Sequence, residues 1–316
     1  MIKTRVVFFG TPEFSIPFFE ALTRDERLDV VAVVSQPDRP SGRGHQIDPT
    51  PIKSSATLHT ITVLQFTTLK SESAQQELSA LNADLFVVVA YGKIIPKAVL
   101  DLPSRGCINV HPSLLPKYRG PSPMPWAIKE GDSTTGITIM LLDEGMDTGP
   151  LLSQVTISID ADETLETLMQ KVQQQGAPLL VETIHRYLEG SVTPIVQDNT
   201  KATITTLLER EDGHINWTRS IVEIERLVRA FQPWPGTWSV WKRDGQEIRI
   251  KIFRVQESDF CADVPPGTLK VKDHRLFVDG LDGTLEIINL QPEGKSAMTA
   301  SAFLLGYSDI DGVTLA

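Results

Sequence analysis

Cysteine is the scarcest resource in this 316-residue sequence: there are two, Cys107 and Cys261. Two thiols far apart, without metal-type spacing, exclude a disulfide framework and a cysteine-built metal centre. Long hydrophobic runs are missing as well. The clearest apolar stretch, residues 86–90, is strand-sized and far short of the roughly 20 residues a membrane helix needs. The start, Met1-Ile-Lys-Thr-Arg5, carries neither the apolar region nor the small-residue cleavage site of a secretory signal, and a cytoplasmic protein without a membrane is expected. The fingerprint Gly-x-Gly-x-x-Gly and the phosphate-loop pattern are both absent, which argues against a dinucleotide-dependent dehydrogenase. Basic charge is in deficit, with 30 Lys and Arg against 40 Asp and Glu and a formal net charge of −10. Nucleic-acid binders tend to be basic. Any such binding here must come from a local patch, acting over roughly the 8 Å Debye length at physiological salt and falling steeply as salt rises.

What is present has the composition of a globular protein, 41% hydrophobic and 22% charged, at a length that suits two domains. The first half alternates strand and helix. Residues 5–9, 30–34, 84–90, 106–110 and 136–142 read as strands. A helix starts at Ser15 with Pro17 in its first turn, and residues 74–81, 164–174 and 179–188 read as helical. The fold class expected is α/β, a Rossmann-like, mostly parallel sheet over residues 1–190. Residues 191–208 are polar and threonine-rich and read as an extended linker. Residues 209–316 open with an amphipathic helix at 221–230. Short strands follow at 238–241, 247–254, 267–272, 276–278 and 284–291, evenly spaced with Gly and Asp turns, as in a small OB-like β-barrel.

Asn109 and His111 carry the most chemical information. They lie two apart at a strand end, so both side chains point the same way. An amide N–H can donate to a developing oxyanion, and an imidazole can exchange a proton near neutral pH. The run that follows, His111-Pro-Ser-Leu-Leu-Pro-Lys-Tyr-Arg-Gly120, has two prolines, a terminal glycine and no periodicity, and reads as an ordered loop at the carboxyl end of a strand, where open α/β sheets place ligands. Leu115-Pro116 is a candidate cis bond. Ser113 reads as a loop hydrogen-bonder and Cys107 as a small buried filler. Asp147, in Leu142-Asp-Glu-Gly-Met-Asp-Thr-Gly149, supplies a carboxylate that could orient the ring.

At these residues the chain resembles the formyltransferases that use 10-formyltetrahydrofolate. The likeness rests on Asn109-x-His-Pro-Ser-Leu-Leu-Pro-x-Tyr-Arg-Gly120 followed by Asp143-x-Gly-x-Asp-Thr-Gly149. It implies Asn109, His111 and Asp147 as catalytic groups, 10-formyltetrahydrofolate as formyl donor, and no metal. Folate is expected beside the Asp147 loop, against residues 88–95 and 140–145, with Tyr91, Gly92, Ser113, Leu114, Leu115, Pro116, Leu142 and Asp143 as its contacts. In the expected chemistry an amine attacks the formyl carbon and Asn109 donates to the oxygen. Ionised Asp147 favours protonated His111. A charged His111 that steadies the oxyanion and a neutral one that takes the amine proton both remain open.

Two further stretches narrow the resemblance to the branch that formylates initiator methionyl-tRNA. Gln36-Pro-Asp-Arg-Pro-Ser-Gly-Arg-Gly44 is similar to an insertion of that branch, and Arg39 and Arg43 become candidate tRNA contacts. Arg229-Ala-Phe-Gln-Pro-Trp-Pro-Gly-Thr-Trp238 and Leu290-Gln-Pro-Glu-Gly-Lys-Ser-Ala-Met298 resemble its carboxyl domain, so residues 209–316 are expected to bind tRNA. Arg249 and Lys251 share a strand face and are the candidates there, while Trp234 and Trp238 read as packing residues. Leu207 stands where the family often has a lysine. The expected enzyme is a monomer whose partners are initiator methionyl-tRNA and the folate. An amino-sugar nucleotide formyltransferase should lack the residue 36–44 pattern, and a non-catalytic RNA-binding protein would not need the catalytic trio.

Overall fold

The computed structural model describes residues 3–41, 46–261 and 263–316. Arg43, a sequence candidate for tRNA contact, lies outside the described residues. In chain order the elements of the first part are β1 (Thr4–Gly10), α1 (Ile16–Arg24), β2 (Leu28–Ser35), β3 (Arg39–Ser41), β4 (Gln46–Asp48), α2 (Pro51–Leu58), β5 (Thr62–Gln65), α3 (Glu72–Ala80), β6 (Leu85–Val89), α4 (Lys97–Leu100), β7 (Cys107–His111), α5 (Pro123–Lys129), β8 (Thr134–Leu141), β9 (Leu151–Ser158) and α6 (Leu165–Leu188). There follow α7 (Ile221–Ala230), β10 (Thr237–Arg243), β11 (Gln246–Ser258), β12 (Leu269–Lys272), β13 (Arg275–Asp279), β14 (Thr284–Pro292), β15 (Met298–Thr299) and α8 (Ala300–Gly306).

The chain forms two compact units. The first comprises Met1–Gly120, Thr135–Ser158 and Met169–Thr205; the second comprises Pro121–Thr134, Ile159–Leu168 and Thr206–Ala316. The first holds a seven-stranded sheet in the order β5-β2-β1-β6-β7-β8-β9. Neighbours from β5 to β7 are parallel, and β8 runs antiparallel to β7. All five residues of β6, Leu-Phe-Val-Val-Val, are buried, the pattern of a central parallel strand covered on both faces. This is the Rossmann-like α/β fold expected. The sheet delivers the ends of β6 and β7 side by side, with Val88 paired to Asn109, and β8 sets Thr138 opposite His111.

Several expectations change. Residues 164–174 and 179–188 form one helix, α6, which continues through Pro178. A proline inside a helix costs about 3 kcal/mol. Val172, Leu180 and Ile184 are each fully buried, and burying three such side chains contributes roughly 1.5–3 kcal/mol apiece, so packing wins. Within the proline-rich run Pro121-Ser-Pro-Met-Pro-Trp126, Pro123 starts helix α5, in the first turn where no N–H partner is needed. The residue 36–48 segment contains the short antiparallel pair β3–β4. Its base is tied down where Asp38 Oδ2 accepts from Lys53 Nζ (2.5 Å) and Asp38 Oδ1 accepts from Gln65 Nε2 (2.7 Å) and Thr50 N (3.2 Å). Burial opposes the Asp38 charge, but these donors and the Lys53 ammonium hold its carboxyl below the usual carboxylate range.

In the second unit β10, β11, β14, β13 and β12 form a mostly antiparallel curled sheet with β15 added beside β14, consistent with the OB-like domain expected. Helix α7 is capped by Ser220 and Glu223, which satisfy each other's backbone N–H groups. It buries Ile221, Ile224 and Val228 in a core with Trp217, Trp241, Ile250 and Ile252.

Candidate active site

Asn109 and His111 close strand β7, and both are buried, at 8% and 4% exposure. The loop after them is fixed by its own polar groups. Ser113 N donates to His111 O (2.9 Å), Ser113 Oγ donates to Lys117 O (2.6 Å), and Thr138 Oγ1 donates to Ser113 O (2.6 Å). Leu115 N donates to Thr138 Oγ1, and Gln154 Nε2 donates to Leu115 O (2.9 Å). The Leu115-Pro116 bond is cis. Each backbone group so paired avoids the 1–3 kcal/mol that a buried orphan costs roughly.

This loop delivers the carbonyl of Tyr118, a residue at φ 61°, to the ring of His111: Nε2 to Tyr118 O is 2.9 Å. A carbonyl only accepts, so Nε2 carries the hydrogen. Nδ1 is thereby left as the ring's free lone pair in the neutral state. Asp147 Oδ2 stands 3.6 Å from Nδ1, too long for a neutral hydrogen bond but close enough to attract a proton placed there. The same Oδ2 accepts from Gly120 N at 2.7 Å. Gly120 has φ 104°, and a Cβ there would meet Thr205 O at 2.6 Å, so glycine is required. The carboxylate of Asp147 and the ring of His111, distant along the chain, are thereby brought within 3.6 Å of each other.

Of the two protonation states left open, the enclosure of the ring favours the neutral one. Burial of the ring dominates and lowers the His111 pKa below its ordinary value; Asp147 and the Tyr118 carbonyl pull the other way and do not win. At neutral pH the resting ring is uncharged, because desolvation of a fully enclosed imidazolium outweighs one carboxylate at 3.6 Å.

Asp147 belongs to a loop that organises itself. Asp143 Oδ1 accepts from Gly145 N (3.0 Å) and Thr148 Oγ1 (2.6 Å). Gly149 sits so close to Leu141 O that a Cβ would lie 1.9 Å from it. Asp147 itself adopts φ 54°, a conformation that costs a non-glycine residue on the order of 1–3 kcal/mol and persists only where the surroundings impose it. Beside this loop opens a cleft of about 530 Å³, lined by Leu100, Cys107, Leu142, Asp143, Glu144 and Tyr187 among others. Cys107 is two positions before Asn109 and shares its side of the strand. Burial pushes its thiol up to about 12, so it is an inert filler.

The remaining sequence candidates fall in different places. Leu142 and Asp143 line the cleft, and Gly92, at φ 83°, is exposed. The Tyr91 ring is not at the surface: it lies edge-on to Phe9 at 5.4 Å in the core, its hydroxyl buried without a partner among the described residues and pushed up to about 12 by burial. Its backbone oxygen accepts from Thr11 and Gln36. Ser113 and Leu115 are buried and spent on loop structure, while Leu114 and Pro116 are half-buried. Arg39 is exposed on β3. Lys251 is exposed, whereas the Arg249 guanidinium lies 4.1 Å over the Trp238 ring, on which His214 also stacks at 4.3 Å. A bulge in β11 turns Arg254 outward as well. Trp238 is buried as expected of a packing residue, but Trp234 is 54% exposed; its loop closes through Gly236 N to Phe231 O (2.8 Å) and leaves the ring outside. Sequence reasoning missed Thr138, Gln154, Arg119 and Gln197. Arg119 stood within a quoted motif, but the others had no periodic or compositional signal. Among the described residues no group of three or more His, Cys, Asp or Glu could hold a metal, and no helix is long and apolar enough to cross a membrane.

The formyl transferase family model matches residues 4–184, and the model of the formyl transferase C-terminal domain matches residues 207–308. The chain is 46% identical over 303 residues to the methionyl-tRNA formyltransferase of Roseiflexus sp. (strain RS-1), covering 96% of this chain and 92% of the relative. The chain belongs to the methionyl-tRNA formyltransferase family. A second family member, from Marinobacter nauticus, is 42% identical, with 97% of each chain covered. Among solved structures, HypX from Aquifex aeolicus in complex with tetrahydrofolic acid matches 95% of this chain and 46% of its own, with a TM-score of 0.66 at 17% identity, a likeness of fold. Phosphoribosylglycinamide formyltransferase from Bacillus halodurans, at 28% identity and TM-score 0.51, covers 60% of this chain and 97% of its own. It is therefore similar to part of this chain only.

Proposed function

We propose that this chain is a cytoplasmic, monomeric enzyme that transfers the formyl group of 10-formyltetrahydrofolate to the free α-amino group of methionyl-initiator tRNA. Asn109, His111 and Asp147 are its catalytic groups. The observation that carries this reading is the His111 ring, with Nε2–H committed to Tyr118 O at 2.9 Å and Nδ1 facing Asp147 at 3.6 Å. Such a ring is a neutral base with one available atom. As the amine nitrogen bonds to the formyl carbon, Asn109 donates to the oxygen that gains charge, and Nδ1 receives the proton the amine sheds. The imidazolium then meets the Asp147 carboxylate, and that attraction offsets the cost of charging a buried ring. Collapse breaks the bond to the folate nitrogen, which takes up a proton as it leaves. The atoms and charges balance without a metal or a covalent enzyme intermediate.

The folate is assigned to the side of the Asp147 loop where a cleft holds the candidates Leu142 and Asp143, although Asn109, His111 and Asp147 are not among its lining residues. The cleft's volume lies in the range of small-molecule sites. Leu100, Cys107 and Leu142 give an apolar floor for a flat ring, and Asp143 and Glu144 stand at its polar rim. The exposed cations Arg39, Lys251 and Arg254, and Arg249 over the Trp238 ring, are the groups proposed to meet tRNA phosphates. The test is a formyl-transfer assay offering aminoacylated initiator tRNA beside a sugar-amine nucleotide. Formylmethionyl-tRNA alone is expected; a formylated sugar would overturn the substrate, and turnover undiminished in His111→Ala would overturn the chemistry.

A further inference from the structure

The segment from Ser191 to Thr200 inverts the usual rule of burial. Ile195 and Val196 are 64% and 83% exposed, whereas the polar residue after them, Gln197, is 6% exposed. Apolar side chains in water and an amide in the interior are a poor bargain for a plain connector, so the buried amide needs an account. Its hydrogen bonds give one. Gln197 Oε1 accepts from Arg119 Nε (3.1 Å) and Nη2 (2.8 Å), and Gln197 Nε2 donates to Asp147 O (2.9 Å) and Gly149 O (2.7 Å). Guanidinium only donates and carbonyls only accept, so one orientation of the amide satisfies all four bonds. Backbone bonds between Ile195 and Leu151 (2.8 and 2.9 Å) hold the segment on β9.

We propose that Gln197 is a positioning residue for catalysis, fixing the Asp147 carboxylate against His111 by clamping the backbone of residues 147–149 to the Arg119–Gly120 turn. This rests on the assignment of Asp147 and His111 to the chemistry. Asp147 is held at both ends by this clamp: its carbonyl by Gln197, and its Oδ2 by Gly120 N (2.7 Å), the residue next to the arginine that Gln197 also binds. The left-handed backbone of Asp147 is imposed in part by these bonds. Arg119, 7% exposed, also donates from Nη2 to Asn199 Oδ1 (2.8 Å), a second neutral acceptor from the same segment. Asp147 is the one charged side chain among the described residues that acts on the His111 ring. A small drift of its loop therefore changes both the geometry and the charge facing Nδ1.

Two substitutions separate the halves of the clamp. Gln197→Leu removes all four bonds. Gln197→Glu keeps an acceptor for Arg119, as an ion pair, and loses both bonds donated to residues 147 and 149. Both variants are expected to lose kcat by roughly ten- to hundred-fold, the scale of a misplacement near 1 Å, with KM for folate and for methionyl-tRNA within about two-fold. In both, the His111 ring, followed by its Cε1 proton resonance, titrates at lower pH than in the parent, because Asp147 no longer supports the imidazolium. A purely structural role would lower the melting temperature without moving that titration. If Gln197→Leu does not fold, Gln197→Glu decides alone. Full kcat in Gln197→Glu, or an unmoved His111 titration, would overturn the proposal. His111→Ala and Asp147→Asn in the same assay tell the two failures apart. If they lose turnover while the Gln197 variants do not, only the clamp is wrong; if they keep it, the underlying chemistry is.

Discussion

The loop from His111 to Gly120 and the outer face of β10 and β11 are built on opposite principles. In the loop nearly every residue is buried or half-buried, and the polar groups there are matched to partners drawn from β8, β9 and residues 197–205. On the sheet face, Lys242, Lys251 and Arg254 stand in solvent, and among the described residues neither Lys251 nor Arg254 has a carboxylate within ion-pair distance. Enclosure makes the first region precise: an amide, a ring and an acid hold fixed places where the dielectric is low and each interaction is strong. Exposure makes the second adaptable. Its cations are cheap to keep, screened by salt, and interchangeable in effect. Chemistry at one carbon needs the first kind of construction, and contact with a polyanion needs the second. An overall charge of −10 is no obstacle to either, since neither depends on the average.

The contrast breaks first at the enclosed end. Asn109→Ala and His111→Ala should leave folding and folate binding intact and lower kcat by roughly a hundred-fold or more, as removal of an oxyanion donor does; steady-state kinetics with thermal melts checks both halves. Gly149→Ala forces a Cβ to within 1.9 Å of Leu141 O. The Asp147 loop must shift, with an expected loss of about 1–3 kcal/mol in stability by denaturant titration and a larger proportional loss of kcat than of tRNA affinity. Asp147→Asn sharpens the electrostatic side. Asp147 raises the His111 pKa against the burial that lowers it, so its removal should carry the acid limb of kcat to lower pH, while any limb set by the substrate amine stays in place. At the exposed end, Arg249→Ala and Lys251→Ala should each raise KM for methionyl-tRNA a few-fold, leave kcat unchanged, and reduce the salt slope of binding by about one. Smallest of all, Ser220→Ala removes the N-cap of α7 and should cost about 1 kcal/mol, read as a modest fall in melting temperature with kinetics untouched.

His111 also links activity to stability. Its pKa is depressed in the folded protein, so protons favour the unfolded chain. The stability it contributes is complete above the unfolded value near 6.5 and declines as pH falls below it. Asp25 acts in the same sense at lower pH. Burial raises its pKa, but the His185 ring at 2.8 Å and the Arg27 N–H outweigh this and leave it lowered, so its contribution fades only as pH falls through the carboxylate range.

Local sequence was enough wherever a single periodicity or one residue's covalent character decided the outcome. The apolar run of residues 85–89 had to be a central strand, the capped amphipathic run of residues 221–230 a helix with those same ends, and Asn109 and His111 had to share a face because strand side chains alternate. What local sequence could not show was the outcome of competition between distant groups. Pro178 announces a break that α6 overrides through burial elsewhere along the helix. Asp147 beside His111 suggests a charged ring, yet enclosure of that ring by the folded sheet leaves it neutral. Gln197 sits in a stretch without pattern, and its meaning arises only when Arg119, Asp147 and Gly149 are brought around it. Periodicity is a property of neighbours, and the chain carries it directly; desolvation and hydrogen-bond matching are properties of an environment, which exists only once the chain has folded.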